Sequence, residues 1–141
     1  MRIQYHIVAL AGIARVQILG YKEYNNVLCN MIVSSLETAE RTLQTDPMRH
    51  QDVLDALDAL QLLIEPMVQL RRSFVLAKDA DNLLKVMGIC QLLNSLIVLT
   101  EVLHTLSHHN DHKDVNNSSM ELFRVQMDLI FKELGIGIDA E

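Results

Sequence analysis

"GICQLLNSLIVLTEVLHTLSHH", residues 88–109, is the most apolar stretch of the chain, yet a glutamine, an asparagine, a serine and a glutamate interrupt it. Its reading decides between a membrane span and the central rod of a helical bundle. A span needs about 20 mostly apolar residues. Lys85, Gln91, Asn94 and Glu101 fall within that length, and polar groups at mid-depth are costly in lipid when no partner helix satisfies them. Wound as a helix at about 100° per residue, Gln91, Asn94, Ser95, Glu101 and Thr105 fall within about 120° of one another, with Gly88 beside them. Ile89, Leu92, Leu93, Leu96 and Leu103 take the opposite side, an apolar arc of roughly 200°. The polar residues are therefore a stripe. The pattern predicts a bundle helix packed on three sides and open along one narrow strip, with no membrane span.

That strip has two readings. It is the solvent edge of a mostly buried helix, or it is the floor of a groove that accepts another helix, from a second copy or from a different protein. Groove binding uses apolar anchors with a few polar groups that set register. On this second reading the partner-binding residues are Met87, Gln91, Asn94, Ser95, Val98 and Glu101. Met31, Met67, Met87 and Met127 all lie in apolar helical segments, where a flexible thioether either fills the core or suits an adaptable binding surface.

Composition points the same way. The chain has 141 residues, the size of one domain, and half are hydrophobic, while aromatics make up 4% and tryptophan is absent, so the core must be aliphatic. Five glycines and two prolines are too few to turn a sandwich or barrel of many short strands. A net charge of -6 argues against nucleic acid, which demands a basic face. Arg71-Arg72 is the lone basic doublet and reads as a flank of a helix end. Cys29 and Cys90 lie inside apolar segments and read as buried free thiols, which suits a reducing, cytoplasmic compartment. The opening segment has an uninterrupted apolar core of only about eight residues, Ile7 to Ala14, between His6 and Arg15, too weak a pattern for a secretory signal.

Outward from the central rod, Ile3, Ile7, Leu10, Ala11, Ala14 and Ile18 repeat at helical spacing over roughly Ile3 to Leu19, with Gly20 as a stop. From Lys22 to Thr45, Leu28, Met31, Ile32, Ser35, Leu36, Ala39 and Leu43 mark a second helix. In "TDPMRHQ", Asp46 before Pro47 has the form of an N-cap and first helical position, so a third helix is expected there. Its stripe of Val53, Leu57, Leu60, Ile64 and Met67 runs past Pro66, which predicts a kink or break near Leu62 to Glu65. Asp79 or Asp81 caps the fourth helix, which runs to about His108. A polar loop follows over about 107–118. Ser118 and Glu121 form a capping box for a last helix faced by Phe123, Met127, Ile130 and Leu134, ended by Gly135 and Ile136. One domain covers residues 1–141.

Chemistry finds little footing. His104, His108 and His112 share a face if the helix continues, a spacing that ligates zinc or nickel, and Asp111 and Asp114 add oxygen donors. The competing reading is a solvated helix terminus, where histidine suits the dipole. Glu101-x-x-His104 matches the pair used in di-iron bundles, but no second copy exists to complete such a site. The chain has no G-x-S-x-G, H-E-x-x-H, G-x-x-x-x-G-K or G-x-G-x-x-G, and neither cysteine has a charged neighbour in sequence to activate it. No enzyme activity and no cofactor are expected.

"SSLETAERTLQTDPMRHQDVLDALDALQLLIEPMVQL", residues 34–70, resembles the helix–turn–helix of flagellar export chaperones of the FliS type, and "DADNLLKVMGICQLLNSLIVL" is similar to that family's next helix. The resemblance covers about half of the chain. It implies a small acidic helical bundle that shields a secreted partner. The chain departs from the family in having no Tyr over 83–99 and no Trp near its C-terminus.

The expected fold is all-α, a mostly antiparallel bundle of four long helices with an N-terminal helical segment. The expected function is non-catalytic: an adaptor or export-chaperone-like module that holds a helical segment of a partner. The alternatives are a self-associating structural protein, a homo-oligomer, and a metal-binding protein using His104, His108 and His112.

Overall fold

The computed structural model describes residues 3–109. The expected capping box at Ser118, the last helix and its terminating Gly135, Met127, His112 and the end of the polar loop lie outside the described residues. Within them the fold is all-α: α1 (Ile3–Leu19), α2 (Asn26–Leu43), α3 (His50–Gln61), α4 (Ile64–Leu76) and α5 (Ala80–His109).

Apolar spacing places each helix. Ile7, Leu10, Ala11, Ala14 and Ile18 form the buried side of α1, and Leu28, Ile32, Leu36, Ala39 and Leu43 that of α2. The two run antiparallel, since the Gln4 amide donates to the Leu43 carbonyl at 2.8 Å at one end and the Cys29 thiol donates to the Ile18 carbonyl at 3.2 Å at the other. The first contact has a clear purpose. Leu43 is the last residue of α2, where a carbonyl has no partner within its own helix, and the buried Gln4 side chain supplies the donor. Arg15 and Glu40 clasp the same pair with Nε–Oε2 at 2.8 Å and Nη2–Oε1 at 3.3 Å. The carboxylate in turn holds the guanidinium proton more tightly than usual.

Asp46 and Pro47 do not start α3. The helix begins at His50, and its N-cap is Arg49, whose backbone amide donates to Asp52 Oδ2 at 2.8 Å. A carboxylate three residues into the helix meets the free donors of the first turn and the positive end of the helix dipole, and Asp52 occupies that place. Asp46 is too far upstream to do so.

The break expected near Pro66 is present. α3 ends at Gln61 and α4 starts at Ile64, with Leu62 and Leu63 at φ/ψ of -67°/-19° and -85°/-10° between them. Pro66 has no N–H to give the Leu62 carbonyl and its ring crowds that group; the ladder stops after Leu63 donates to Leu60 at 3.3 Å and resumes when Met67 donates to Leu63 at 3.1 Å. Both intervening residues stay in the right-handed region, so the path bends between α3 and α4 without leaving helical angles.

α4 closes with a two-bond C-terminal motif: Lys78 N–H donates to Val75 and Asp79 N–H to Phe74, both at 3.1 Å, with Lys78 at φ 55°. Asp79, the first of the two expected caps, then opens α5. Its carboxylate accepts from Asn82 N at 3.2 Å and Asn82 Nδ2 at 2.8 Å. These bonds, and Lys85 nearby, hold the Asp79 carboxyl below the usual aspartate range.

α1 packs on α2 and α5, α2 also on α3 and α4, and α5 on α1, α3 and α4. The core between these rods is aliphatic, as composition requires, with Phe74 fully enclosed. Aromatics gather at one end, where Phe74 meets Tyr21 at 5.5 Å and stacks on Tyr24 at 4.4 Å between ring centres. At the opposite end His50 of α3 meets His104 of α5 at 4.5 Å.

Candidate helix-docking face

α5, like α2, touches three other helices, and its composition divides accordingly. Val86, Ile89, Leu92, Leu93, Leu96, Leu99 and Leu103 are buried against α1, α3 and α4. Thr100 is also fully buried, and its hydroxyl is satisfied within the helix by the Leu96 carbonyl at 2.7 Å. Away from this side, Gln91, Asn94, Glu101 and Thr105 are exposed and Ser95 is half-buried, so the amides lie where the helix faces solvent.

The outer face is not simply polar. Leu84, Met87 and Val98 are 73%, 45% and 39% exposed. Taken in order, Leu84, Met87, Gln91, Asn94, Val98, Glu101 and Thr105 recur at alternating three- and four-residue steps. That is the heptad seam by which one helix meets another, here turned away from the bundle core. Met87, Gln91, Asn94, Val98 and Glu101, five of the residues read from the sequence, fall on this one line. Ser95 flanks it on the side of Gly88, where an added Cβ would meet nothing within 4 Å. Leu84 was not among the residues read from the sequence, although the three-residue step back from Met87 marks it.

Beside the seam a cleft of about 220 Å³ opens between α4 and α5, lined by Ile64, Met67, Val68 and Arg71 on one wall and Cys90, Asn94 and Ile97 on the other. Ile64 is half exposed there, and Met67 is buried at its base. Met31, by contrast, is half exposed on α2, away from this groove. On the other flank a wider cleft of about 480 Å³ separates the end of α1 from the start of α5, between Gln17, Gly20 and Tyr21 and Asn82, Lys85 and Gly88.

The chemical candidates disperse. His104 lies on α5, half-buried, against His50, whose Nδ1 is 3.1 Å from Ser107 Oγ. His108 is in the last turn of α5. Among the described residues, no three of His, Cys, Asp and Glu come together as a metal would require. His50 was not singled out from the sequence, and no local signal joins residues so far apart in the chain. Cys29 is buried and Cys90 half-buried, both free, and burial pushes both thiols above their ordinary range, away from the reactive thiolate. Among the described helices, one is long and apolar enough to cross a membrane by length and composition, Ala80–Ser107 within α5.

No family model, no curated protein and no solved structure matches the chain.

Proposed function

We propose that the protein is a non-catalytic helical binding module whose outer α5 face accepts a helix. The observation that carries this reading is the seam itself: exposed Leu84, Met87 and Val98 in heptad spacing with Gln91 and Asn94 between them. Apolar groups exposed in such a row lose contact with water when a second helix covers them, and amides at the seam's middle make only a matched register satisfactory. The hairpin of α2 and α3, which resembles the export-chaperone pattern, turns Leu36, Leu43, Val53 and Leu60 into the core, so its apolar side is already in use. Val27 and Met31 also stay exposed on α2, but the row with amides between its apolar members is on α5. The close packing of Ile89, Leu93 and Leu96 inside the bundle supports a globular reading of this helix over a spanning one.

The test replaces Asn94 and Ser95 together with Arg. The immobilised wild-type chain is expected to capture a helical polypeptide, whether another copy or a protein from the native extract, and the double variant is expected to lose that capture with its far-UV spectrum unchanged. Undiminished capture by a folded double variant would place the binding face elsewhere.

A further inference from the structure

We propose that the helix received on this face is α5 of a second copy, docked antiparallel about a twofold axis that passes between Gln91 and Asn94. The inference rests on the reading of α5 as a docking face and adds the identity of the occupant. It follows from a symmetry in the seam. When two copies of α5 are laid antiparallel, the seam positions of one alternate with those of the other, and each layer joins one residue to a different residue of the second copy. Centred on the amides, Gln91 faces Asn94, Met87 faces Val98, and Leu84 faces Glu101, each pair occurring twice because of the axis.

The inner layers match, and the outermost lies at the open ends of the seam. Gln91 and Asn94 each carry a donor and an acceptor, so the central layer closes hydrogen bonds across the axis instead of leaving polar groups dry. Met87 and Val98 are both apolar and both substantially exposed in the single chain. The outermost layer sets Glu101 opposite Leu84 at the ends of the seam, where the carboxylate, exposed in the single chain, stays in water. The flanks agree as well. Gly88 comes opposite Ser95, so the side facing the α1 cleft has no bulk to hold the helices apart, and an added Cβ at Gly88 has open space before it in the single chain. On the other flank Cys90 comes opposite Ile97, both lining the cleft beside α4. In a parallel pairing these matches vanish: Gln91 meets Gln91, Glu101 meets Glu101, and like charges oppose each other.

The interface is modest. One pair of helix faces of this length buries on the order of 1,000 Å² in total, at the low end of specific interfaces, so a micromolar dimer is expected.

Two single substitutions test the register. Light scattering across concentrations from about 1 to 200 µM, a range chosen to bracket micromolar affinity, should show the wild-type chain approaching twice 16.0 kDa. Met87→Lys and Val98→Glu, each on an exposed side chain and each altering two layers, should weaken self-association by about a thousandfold and keep the chain largely monomeric over this range with the helical spectrum intact, because each sets a charge against an apolar partner. Mixed together, the two variants should associate again, since the antiparallel register brings the new lysine against the new glutamate in one layer and leaves the opposite layer native. Dimers untouched by either variant, or variants that fail to recover when mixed, would overturn the proposal. So would a wild-type chain that stays monomeric throughout. If that monomer still captures another helical protein and the Asn94→Arg/Ser95→Arg variant does not, the docking face stands and only its occupant is wrong.

Discussion

Lys78 occupies a position that suits glycine. At φ 55° a Cβ crowds the following carbonyl, yet the residue must adopt this conformation for the paired bonds that end α4 to form. Glycine has no such conflict, so Lys78→Gly should raise stability by about 0.5–1 kcal/mol and the melting temperature by roughly 2–4 °C. A melting temperature that falls would show that the lysine side chain does more for the turn than its backbone costs. One residue on, Asp79 gives a pH dependence. Its carboxyl is lowered in the folded chain, first by the Asn82 side-chain bond and then by the Asn82 backbone bond, with Lys85 adding to both. A lowered folded value means that the ionised group stabilises the fold above the unfolded value of about 3.9 and that this contribution is lost as pH falls through the folded value below it. Asn at this position still caps a helix but does not titrate. Urea midpoints of wild type and Asp79→Asn should therefore differ at pH 7 and converge below about pH 4. A gap that stays constant down to about pH 2.5, a value chosen to lie well below the unfolded aspartate range, would assign the difference to the amide's shape and not to charge.

Each helix shows how far its own spacing can be trusted. Apolar spacing, with Gly20 as a stop and Asp79 as a cap, locates α1 and α5 almost to the residue, because both present a wide apolar arc that has to be buried. The bend at Leu62 and Leu63 was also legible, since proline acts through its own missing N–H and needs no tertiary help. The start of α3 was not. Asp46-Pro47 has the form of a helix entry, but Asp52 caps the helix from within, and which carboxylate wins depends on where Val53 and Leu60 must meet α2. The outer strip of α5 was legible as a stripe. Met87 and Val98 were readable with it, whereas Leu84 was readable as exposed only once the three packed neighbours of α5 were known. Pro66→Ala tests the cause of the bend. With the ring gone, position 66 has an amide to give the Leu62 carbonyl, and the near-helical angles of Leu62 and Leu63 need little adjustment. In this variant the amide at position 66 should be protected from hydrogen exchange to the same degree as that of Met67, with global stability changed by no more than about 1 kcal/mol. Free exchange of that amide would show that packing of the buried Leu63, not the proline, sets the bend.

At the scale of the whole molecule, the two ends and the long outer face of the bundle are finished differently. Phe74 is enclosed beneath Tyr21 and Tyr24 at one end, and His50 lies against His104 at the other. The outer row of α5 keeps Leu84, Met87 and Val98 in water. If that row is covered by a second copy, association and folding are linked, because the dimer binds folded chains and not unfolded ones. The link has a size. Above the dissociation constant the free folded monomer rises only as the square root of total protein, so each tenfold increase in concentration stabilises a protomer by about 0.7 kcal/mol, half the usual 1.4 for a tenfold change in binding. For a chain of this length that corresponds to roughly 2–3 °C in melting temperature. Calorimetry at about 20 and 200 µM, on the upper side of the expected micromolar constant, should therefore show the wild-type transition moving upward. Met87→Lys, with the same core and the same helices but no self-association, should melt at one temperature at both concentrations. Equal melting temperatures for the wild type would mean that the seam gains nothing from a second copy under these conditions. An upward shift retained in Met87→Lys would mean that the stabilising contact lies on some other face of the bundle.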